Sequence, residues 1–292
     1  MEVLPGRPER NVAAMLDLID QARRAGAEVV AFPELCVSGY LLGDLWEVDA
    51  VAADFAAHSD RLRAASRGLV VLFGNVAVDP AGTNEDGRLR KYNAAVVCAD
   101  GRYLERPDVP AGLPAGVHPK TLHPNYRFFD DDRHFYSLRK LADSLGRSVV
   151  DWCRPFVVTL SSGRVFRFGV QLCEDLWADD YQHEGQALST LAAYRRGGAD
   201  AVFNLSASPW SWRKADKRAR VVRGALATAP LPLFYVNQVV AQNNGKNIVV
   251  FDGDSTVYDA RGRALRRARP WREQLLVSTE AAPAQPEQTY IE

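Results

Sequence analysis

The stretch Phe166-Arg167-Phe168-Gly169-Val170-Gln171-Leu172-Cys173-Glu174-Asp175 decides how this chain is read. Its first seven residues form an apolar, strand-like run; a thiol follows, then two carboxylates. A buried thiol is usually an inert small hydrophobe. This one stands where a strand stops and polar chain begins, which is where strand-borne sites lie in open α/β folds. Two charged residues occupy comparable points: Glu34, closing Val29-Val30-Ala31-Phe32-Pro33-Glu34, and Lys120 in Val117-His118-Pro119-Lys120. A thiol, a carboxylate and an ammonium so placed suggest a nucleophile, a base and an electrostatic stabiliser.

Working outward, Val12, Met15, Leu16, Ile19 and Ala22 follow helical spacing, and Gly26 is a stop signal. A short buried strand is predicted over 28–32, a helix over 48–65, and strands over 69–78 and 93–99. Asp100-Gly101 offers a tight turn into Arg102-Tyr103-Leu104. Residues 107–136 are rich in Pro, Gly, His and Asp without a period, and so long an irregular stretch is usually functional. Segments 156–160 and 165–172 flank Ser161-Ser162-Gly163 as a hairpin. A helix over 184–196, a strand over 201–206 and a helix over 213–228 follow. Strands over 233–240 and 247–257 finish the core, 275–278 adds one more, and 281–292 reads as a loose tail. Residues 1–280 read as one domain: a mixed sheet, or two stacked sheets, covered by helices.

Bulk properties narrow the function. With 36 Lys and Arg against 36 Asp and Glu, no global field favours nucleic acid or a membrane. The local run Arg261, Arg263, Arg266, Arg267, Arg269 and Arg272 reads as a solvated or interface face. The cysteines at 36, 98, 153 and 173 form no CxxC, and no signal peptide opens the chain, so free thiols in a reducing, cytoplasmic compartment are expected. Cys36, Cys98 and Cys153 read as packed thiols. His118, His123 and His134 share one loop, but zinc sites show tighter ligand spacing, and no metal or cofactor is expected.

Further segments extend the pattern: Phe32-Pro33-Glu34-Leu35-Cys36-Val37-Ser38-Gly39-Tyr40, the run from Lys120 to Phe135 (KTLHPNYRFFDDDRHF), Leu172-Cys173-Glu174-Asp175-Leu176-Trp177, Asn204-Leu205-Ser206-Ala207-Ser208-Pro209, Tyr235-Val236-Asn237-Gln238-Val239 and Phe251-Asp252-Gly253. In these the chain resembles the nitrilase superfamily of carbon–nitrogen hydrolases, and within it the glutaminase domain of glutamine-dependent NAD synthetase. The resemblance implies an α-β-β-α sandwich, with Glu34 as general base, Lys120 as oxyanion stabiliser and Cys173 as nucleophile. The chemistry asks for the same types. A thiol of pKa about 8.5 is mostly protonated at neutral pH and needs a base or a cation beside it. Attack on an amide carbon creates an oxyanion, and losing one donor to it typically costs about 10²–10³ in rate.

By the same resemblance, Tyr40, Tyr126, Glu174, Trp177 and Ser208 align with positions lining a glutamine pocket. A cation for the α-carboxylate is also required. Spacing favours Lys214, whereas bidentate geometry favours Arg213, and both stay open. Three departures stand out. Asp131, within Asp130-Asp131-Asp132, takes the place of a catalytic-loop glutamate; it is expected in a shallow acidic loop, reaching the site differently or through water. The family's first strand has only Met1-Glu2-Val3-Leu4 to represent it, so that strand is lost or the recorded start lies downstream of the true one. No SGGxDS or GxxxxGK[ST] loop occurs, so the chain is not expected to make NAD alone, and a separate ammonia-dependent NAD synthetase is the implied partner. Two other readings stand beside the glutaminase: a general amidase or N-carbamoyl hydrolase, and a degenerate, non-catalytic partner subunit. Self-association is expected, with Val221, Val222 and Leu226 of the 213–228 helix as its surface.

Overall fold

In the computed structural model, which describes residues 1–84, 87–180, 182–183 and 186–278, the apolar runs form two sheets packed face to face. Helix α1 (Pro8–Arg24) starts at a proline, whose missing N–H would be unsatisfied there anyway, and buries Val12, Met15 and Ile19 on one face. Strand β1 (Val29–Ala31) follows. The helix expected over 48–65 is two, α2 (Asp49–Ala57) and α3 (Ser59–Ala65). Asn75 explains the break: its side-chain amide donates to the Phe55 carbonyl (2.8 Å) and the Ser59 hydroxyl (2.9 Å), taking the carbonyl that a continuous helix would pair with the Ser59 N–H.

The first sheet has the order β1–β2–β3–β4, with β2 (Val70–Thr83), β3 (Leu89–Ala99) and β4 (Arg102–Tyr103); β5 (Val117–Pro119) also pairs with β3. Strand β1 runs parallel to β2, and the other pairs are antiparallel. The irregular stretch thus contributes a strand, then a short helix α4 (Asp131–His134), and α5 (Leu138–Ser144) follows it.

The second sheet begins with β6 (Phe156–Thr159) and β7 (Val165–Leu172), the expected hairpin. A two-residue pair, β8 (Gln182–His183) and β9 (Gln186–Ala187), precedes α6 (Thr190–Arg196). That helix starts later than the predicted 184, because the Ser189 hydroxyl caps it by accepting from the Ala192 N–H at 3.2 Å. Next come β10 (Ala201–Ser206), α7 (Lys214–Thr228), β11 (Leu233–Asn237), β12 (Val239–Asn243), β13 (Ile248–Asp252), β14 (Thr256–Tyr258) and β15 (Ala264–Arg267). The sheet order is β15–β14–β11–β10–β7–β6, with β7, β10 and β11 parallel. The predicted strands 233–240 and 247–257 are each divided between this sheet and the separate β12–β13 ribbon. Residues 275–278 form no strand, and the predicted tail 281–292 lies outside the described residues.

Four layers result. Val70, Leu72, Ala95 and Val97 of the first sheet meet Phe166, Phe168, Val170, Leu172, Phe203 and Leu205 of the second. The alternate residues of β2, Val71 and Phe73, face outward and pack with α1. Helices α6 and α7 cover the other sheet through Tyr194, Val222 and Leu226. The α-β-β-α sandwich expected from the resemblance is the observed fold. Val222 and Leu226 are spent on the protein's own sheet, so they do not form the self-association surface predicted for that helix.

Two edges differ from expectation. Met1–Leu4 makes no strand; Glu2 forms a single parallel bridge to Val239, with Met1 and Val3 buried. An apolar groove of about 420 Å³ runs along the outer edge of β1, lined by Val29, Ala31, Phe203, Phe234, Val236 and Leu275 among others. The arginine run is not wholly a solvated face: Arg267 reaches inward to Asp254, which also holds the buried Arg218.

Candidate active site

Chain leaving β1 passes through Phe32 and Pro33 and ends at Glu34, which is fully buried. Close packing fixes this corner. A Cβ on Gly74 of β2 would lie 2.3 Å from the Leu35 nitrogen and 2.5 Å from the Glu34 Cα, so only glycine lets the two backbones approach. The Glu34 carboxylate accepts from Asn93 Nδ2 and Lys120 Nζ on Oε1, and from the Ala207 N–H on Oε2, each at 2.8 Å.

Lys120 follows β5 directly, and its N–H donates to the Asn93 carbonyl at 2.8 Å. His118, one residue before Pro119, is buried between Arg106 and Tyr194, with Nδ1 3.4 Å from the Arg106 guanidinium and Nε2 3.2 Å from the Tyr194 hydroxyl. Burial first, and then that guanidinium, hold its imidazole well below the usual histidine range, in its neutral form. The Lys120 ammonium is fully buried, 2.8 Å from Glu34 Oε1 and 2.9 Å from Asp131 Oδ2, with the Tyr40 ring centroid 5.5 Å away. Burial opposes its charge, but Asp131 and Glu34 outweigh burial and hold the ammonium well above the ordinary lysine range.

Asp131 departs from expectation. It is buried, 3% exposed, in the first turn of α4, and it touches Lys120 directly. Its other oxygen accepts from the Tyr40 hydroxyl at 2.5 Å. The acidic loop folds inward here because Asp132 and Asp130 take the outer contacts, Asp132 with His123 and Asn125 and Asp130 with His134. The three loop imidazoles therefore have separate partners and do not converge: His118 with Arg106 and Tyr194, His123 with Asp132, His134 with Glu47.

Cys173 directly follows β7 and lies in the left-handed region (φ +36), an unfavourable conformation for a side chain with a Cβ that persists only where its surroundings impose it. The residue is buried, 7% exposed. Burial raises its pKa, Glu34 raises it further, and Lys120 opposes both, so the resting group is a protonated thiol within the field of both charges. The other cysteines are free and buried, with Cys36, Cys98 and Cys153 pushed up to about 12 by burial, as expected of packed thiols.

Most of the remaining predicted residues gather around this centre. The Tyr126 hydroxyl donates to the Glu174 carboxylate at 3.1 Å. Lys214 Nζ lies 4.4 Å from the centroid of the Trp177 ring, with its charge disfavoured by burial and favoured by Cys173 and Glu174. The neighbouring Arg213 is two-thirds exposed and pairs with Asp216 at 3.0 Å. Of the two open choices, Lys214 faces the cluster. Ser208 is clamped through its backbone, its N–H donating to Asn237 Oδ1 (2.9 Å) and its carbonyl accepting from Asn237 Nδ2 (3.1 Å). Tyr40 sits against Asp131 and Lys120. A small polar pocket of about 90 Å³ beside it is lined by Tyr40, Asp131, Arg133 and Lys246 among others. Asn93, the Ala207 N–H and Asp175 were not singled out from the sequence. Such a cluster offers a nucleophile, an adjacent carboxylate to take its proton and a buried cation for developing negative charge.

The carbon-nitrogen hydrolase family model matches residues 4–283. The chain belongs to this family. Among curated relatives, the glutamine-dependent NAD(+) synthetase of Xylella fastidiosa is 29% identical over 93% of the chain, and that of Xanthomonas campestris pv. campestris is 30% identical over 95%. The chain spans only 42% of the length of each. Among solved structures, glutamine-dependent NAD+ synthetase from Acinetobacter baumannii superposes with a TM-score of 0.68 at 26% identity, over 94% of this chain and 43% of that one. A Nesterenkonia amidase of the nitrilase superfamily superposes with a TM-score of 0.66 at 18% identity, over 92% and 85%, a likeness of fold. As a carbon-nitrogen hydrolase, the chain is an enzyme of amide-type bonds. No helix among the described residues is long and apolar enough to cross a membrane.

Proposed function

We propose that residues 1–280 form a glutaminase-type amidohydrolase domain that converts glutamine and water to glutamate and ammonia through a Cys173 thioester. The observation that carries this reading is the buried Glu34–Lys120 contact of 2.8 Å, whose two charges both act on the Cys173 thiol. Because the thiol rests protonated, Glu34 removes its proton as sulfur attacks the amide carbon. The Lys120 ammonium offsets the oxyanion that forms. Glu34 returns the proton to the leaving nitrogen, ammonia departs, and the acyl group stays on sulfur. Glu34 then takes a proton from water, which attacks the thioester; the C–S bond breaks, glutamate leaves, and Glu34 returns the proton to sulfur to restore the thiol. Asp131 and Tyr40 hold Lys120 in place. Lys214 is the cation for the substrate's α-carboxylate, and Glu174 with Tyr126 receives its α-ammonium, beside Trp177 and Ser208.

Glutamine is favoured because an α-amino acid needs a cation and an anion at one pocket, and Lys214 and Glu174 supply both charges near the thiol. A general amidase is the second reading, favoured by the Nesterenkonia amidase, 85% of whose chain is covered, against 42% for the synthetases. Ammonia release from glutamine, asparagine, ω-amides and N-carbamoyl amino acids separates the two. Turnover of glutamine supports the first; turnover confined to another amide moves the assignment to the second. The proposed partner is a separate ammonia-dependent NAD synthetase, and the compartment cytoplasmic. Self-association belongs to the proposal as well, and a monomer mass by light scattering at micromolar concentration would count against it.

A further inference from the structure

Asp175 has no part in the chemistry above, yet it joins the two segments that carry it. It is 1% exposed. One carboxylate oxygen accepts from the Thr121 N–H (3.0 Å) and the Leu122 N–H (2.8 Å), the two residues after Lys120. The other accepts from the Leu172 N–H (3.0 Å), the residue before Cys173. Lys120 hangs from the first sheet and Cys173 from the second, and this side chain bridges them directly. The strained backbone at Cys173 has Asp175 bonded across it, from the residue on one side to the loop bearing the ammonium.

We propose that Asp175 is a positioning residue whose ionised carboxylate sets the placement of the Cys173 thiol against the Lys120 ammonium. The inference rests on the reading of Cys173 and Lys120 as the reacting pair. Three N–H groups donate to it, and bonds to an ionised acceptor are roughly twice as strong as neutral ones, while protonation turns one oxygen into a donor facing those N–H groups. The groups that act on it electrostatically are the Lys120 ammonium, the Cys153 thiol and the Tyr194 hydroxyl of α6. Burial pushes the carboxyl up to about 7, against the pull of the backbone N–H groups and of Lys120. Turnover is therefore expected to fall as pH drops through about 7. The folding contribution of this group runs the other way. Its folded pKa is raised, so its stabilisation is complete below the unfolded value of 3.8 and is lost as pH rises through about 7.

The experiment compares wild type, Asp175→Asn and Asp175→Glu in ammonia release and in alkylation of Cys173 by iodoacetamide, each across pH. Asn keeps an acceptor for Thr121 and Leu122 but cannot accept from Leu172 or titrate. It is expected to lose about 10²-fold in kcat with KM little changed, the size of effect that a misplacement of about 1 Å can produce. The acid limb near pH 7 should be absent and alkylation slowed in parallel. Glu retains a titrating group and should keep an acid limb at reduced kcat; it also serves if the Asn variant fails to fold. Wild-type kcat and an unchanged acid limb in the variants would overturn the proposal, as would a loss confined to KM. Failure of the underlying site reading shows separately, as ammonia release surviving Cys173→Ala.

Discussion

The Lys120 ammonium is fully buried against two carboxylates and the Tyr40 ring, and single substitutions there should differ in size for a physical reason. Lys120→Ala leaves Glu34 and Asp131 buried without their shared cation, a loss of about 3–5 kcal/mol by the usual cost of breaking a buried ionic group. Asp131→Ala leaves the Glu34–Lys120 pair intact and strands the Tyr40 hydroxyl, which costs about 1–3 kcal/mol. Urea unfolding should rank the two in that order, and both should abolish or sharply reduce ammonia release. Cys173→Ala should remove activity with little loss of stability, whereas Cys36→Ala should keep it; an acyl adduct found by mass spectrometry on any other cysteine would contradict the assignment. Glu34, Lys120 and Cys173 were legible because each stands at a strand end or beside a proline. Their supports were not. Asn93 meets Glu34 from 59 positions away and Ala207 from 173, and an acceptor satisfied by a backbone N–H leaves no mark in the sequence. The depth of Asp131 was misjudged because three consecutive aspartates look alike in sequence, while only the middle one turns inward.

Strands and helices set where those side chains end. Strands β2, β3, β7 and β10 were legible as runs, since both faces of each sheet are covered and most positions in them are apolar. Boundaries were less legible wherever a polar side chain captured the backbone, as Asn75 does between α2 and α3 and Ser189 at α6. The division of β11 from β12 was hidden because both halves are apolar and only their pairing differs. Gly74 tests how tightly the elements hold the site. Gly74→Ala places a methyl against backbone atoms of Leu35 and Glu34 that have no rotamer to yield, and overpacking of this kind costs about 1–3 kcal/mol. Since the displaced backbone carries Glu34, turnover should fall in variant protein that is still fully folded by circular dichroism. Normal kcat in such protein would show that Glu34 tolerates the shift. Gly169→Ala is the counterpart on β7, its methyl 2.4 Å from the Tyr194 ring. It should destabilise by a similar amount.

For the whole molecule, ammonia formed by the proposed glutaminase without a consumer would waste glutamine. The coupling proposed above, to an ammonia-dependent NAD synthetase, predicts slow glutamine hydrolysis by the chain alone, faster in the partner's presence. The physical route runs through residues 107–136. That segment carries Lys120 and Asp131 in its buried part and Tyr126, 47% exposed, on its surface, with the Tyr126 hydroxyl on Glu174 next to Cys173. A partner pressing on Tyr126 acts on the substrate pocket by one hydrogen bond. It can raise turnover only by binding the competent arrangement of this segment better than the idle one, and a tenfold rise corresponds to about 1.4 kcal/mol of differential affinity. The measurement is ammonia release with and without an ammonia-dependent NAD synthetase from the same organism, ATP and the deamido precursor present. Tyr126→Phe should weaken the activation, because the linking hydroxyl is gone while the ring stays. Rapid hydrolysis by the chain alone, unchanged by the synthetase, would remove the coupling and leave the glutaminase. Turnover of some other amide, with glutamine untouched in both conditions, would make the chain a general amidase whose ammonia needs no receiver.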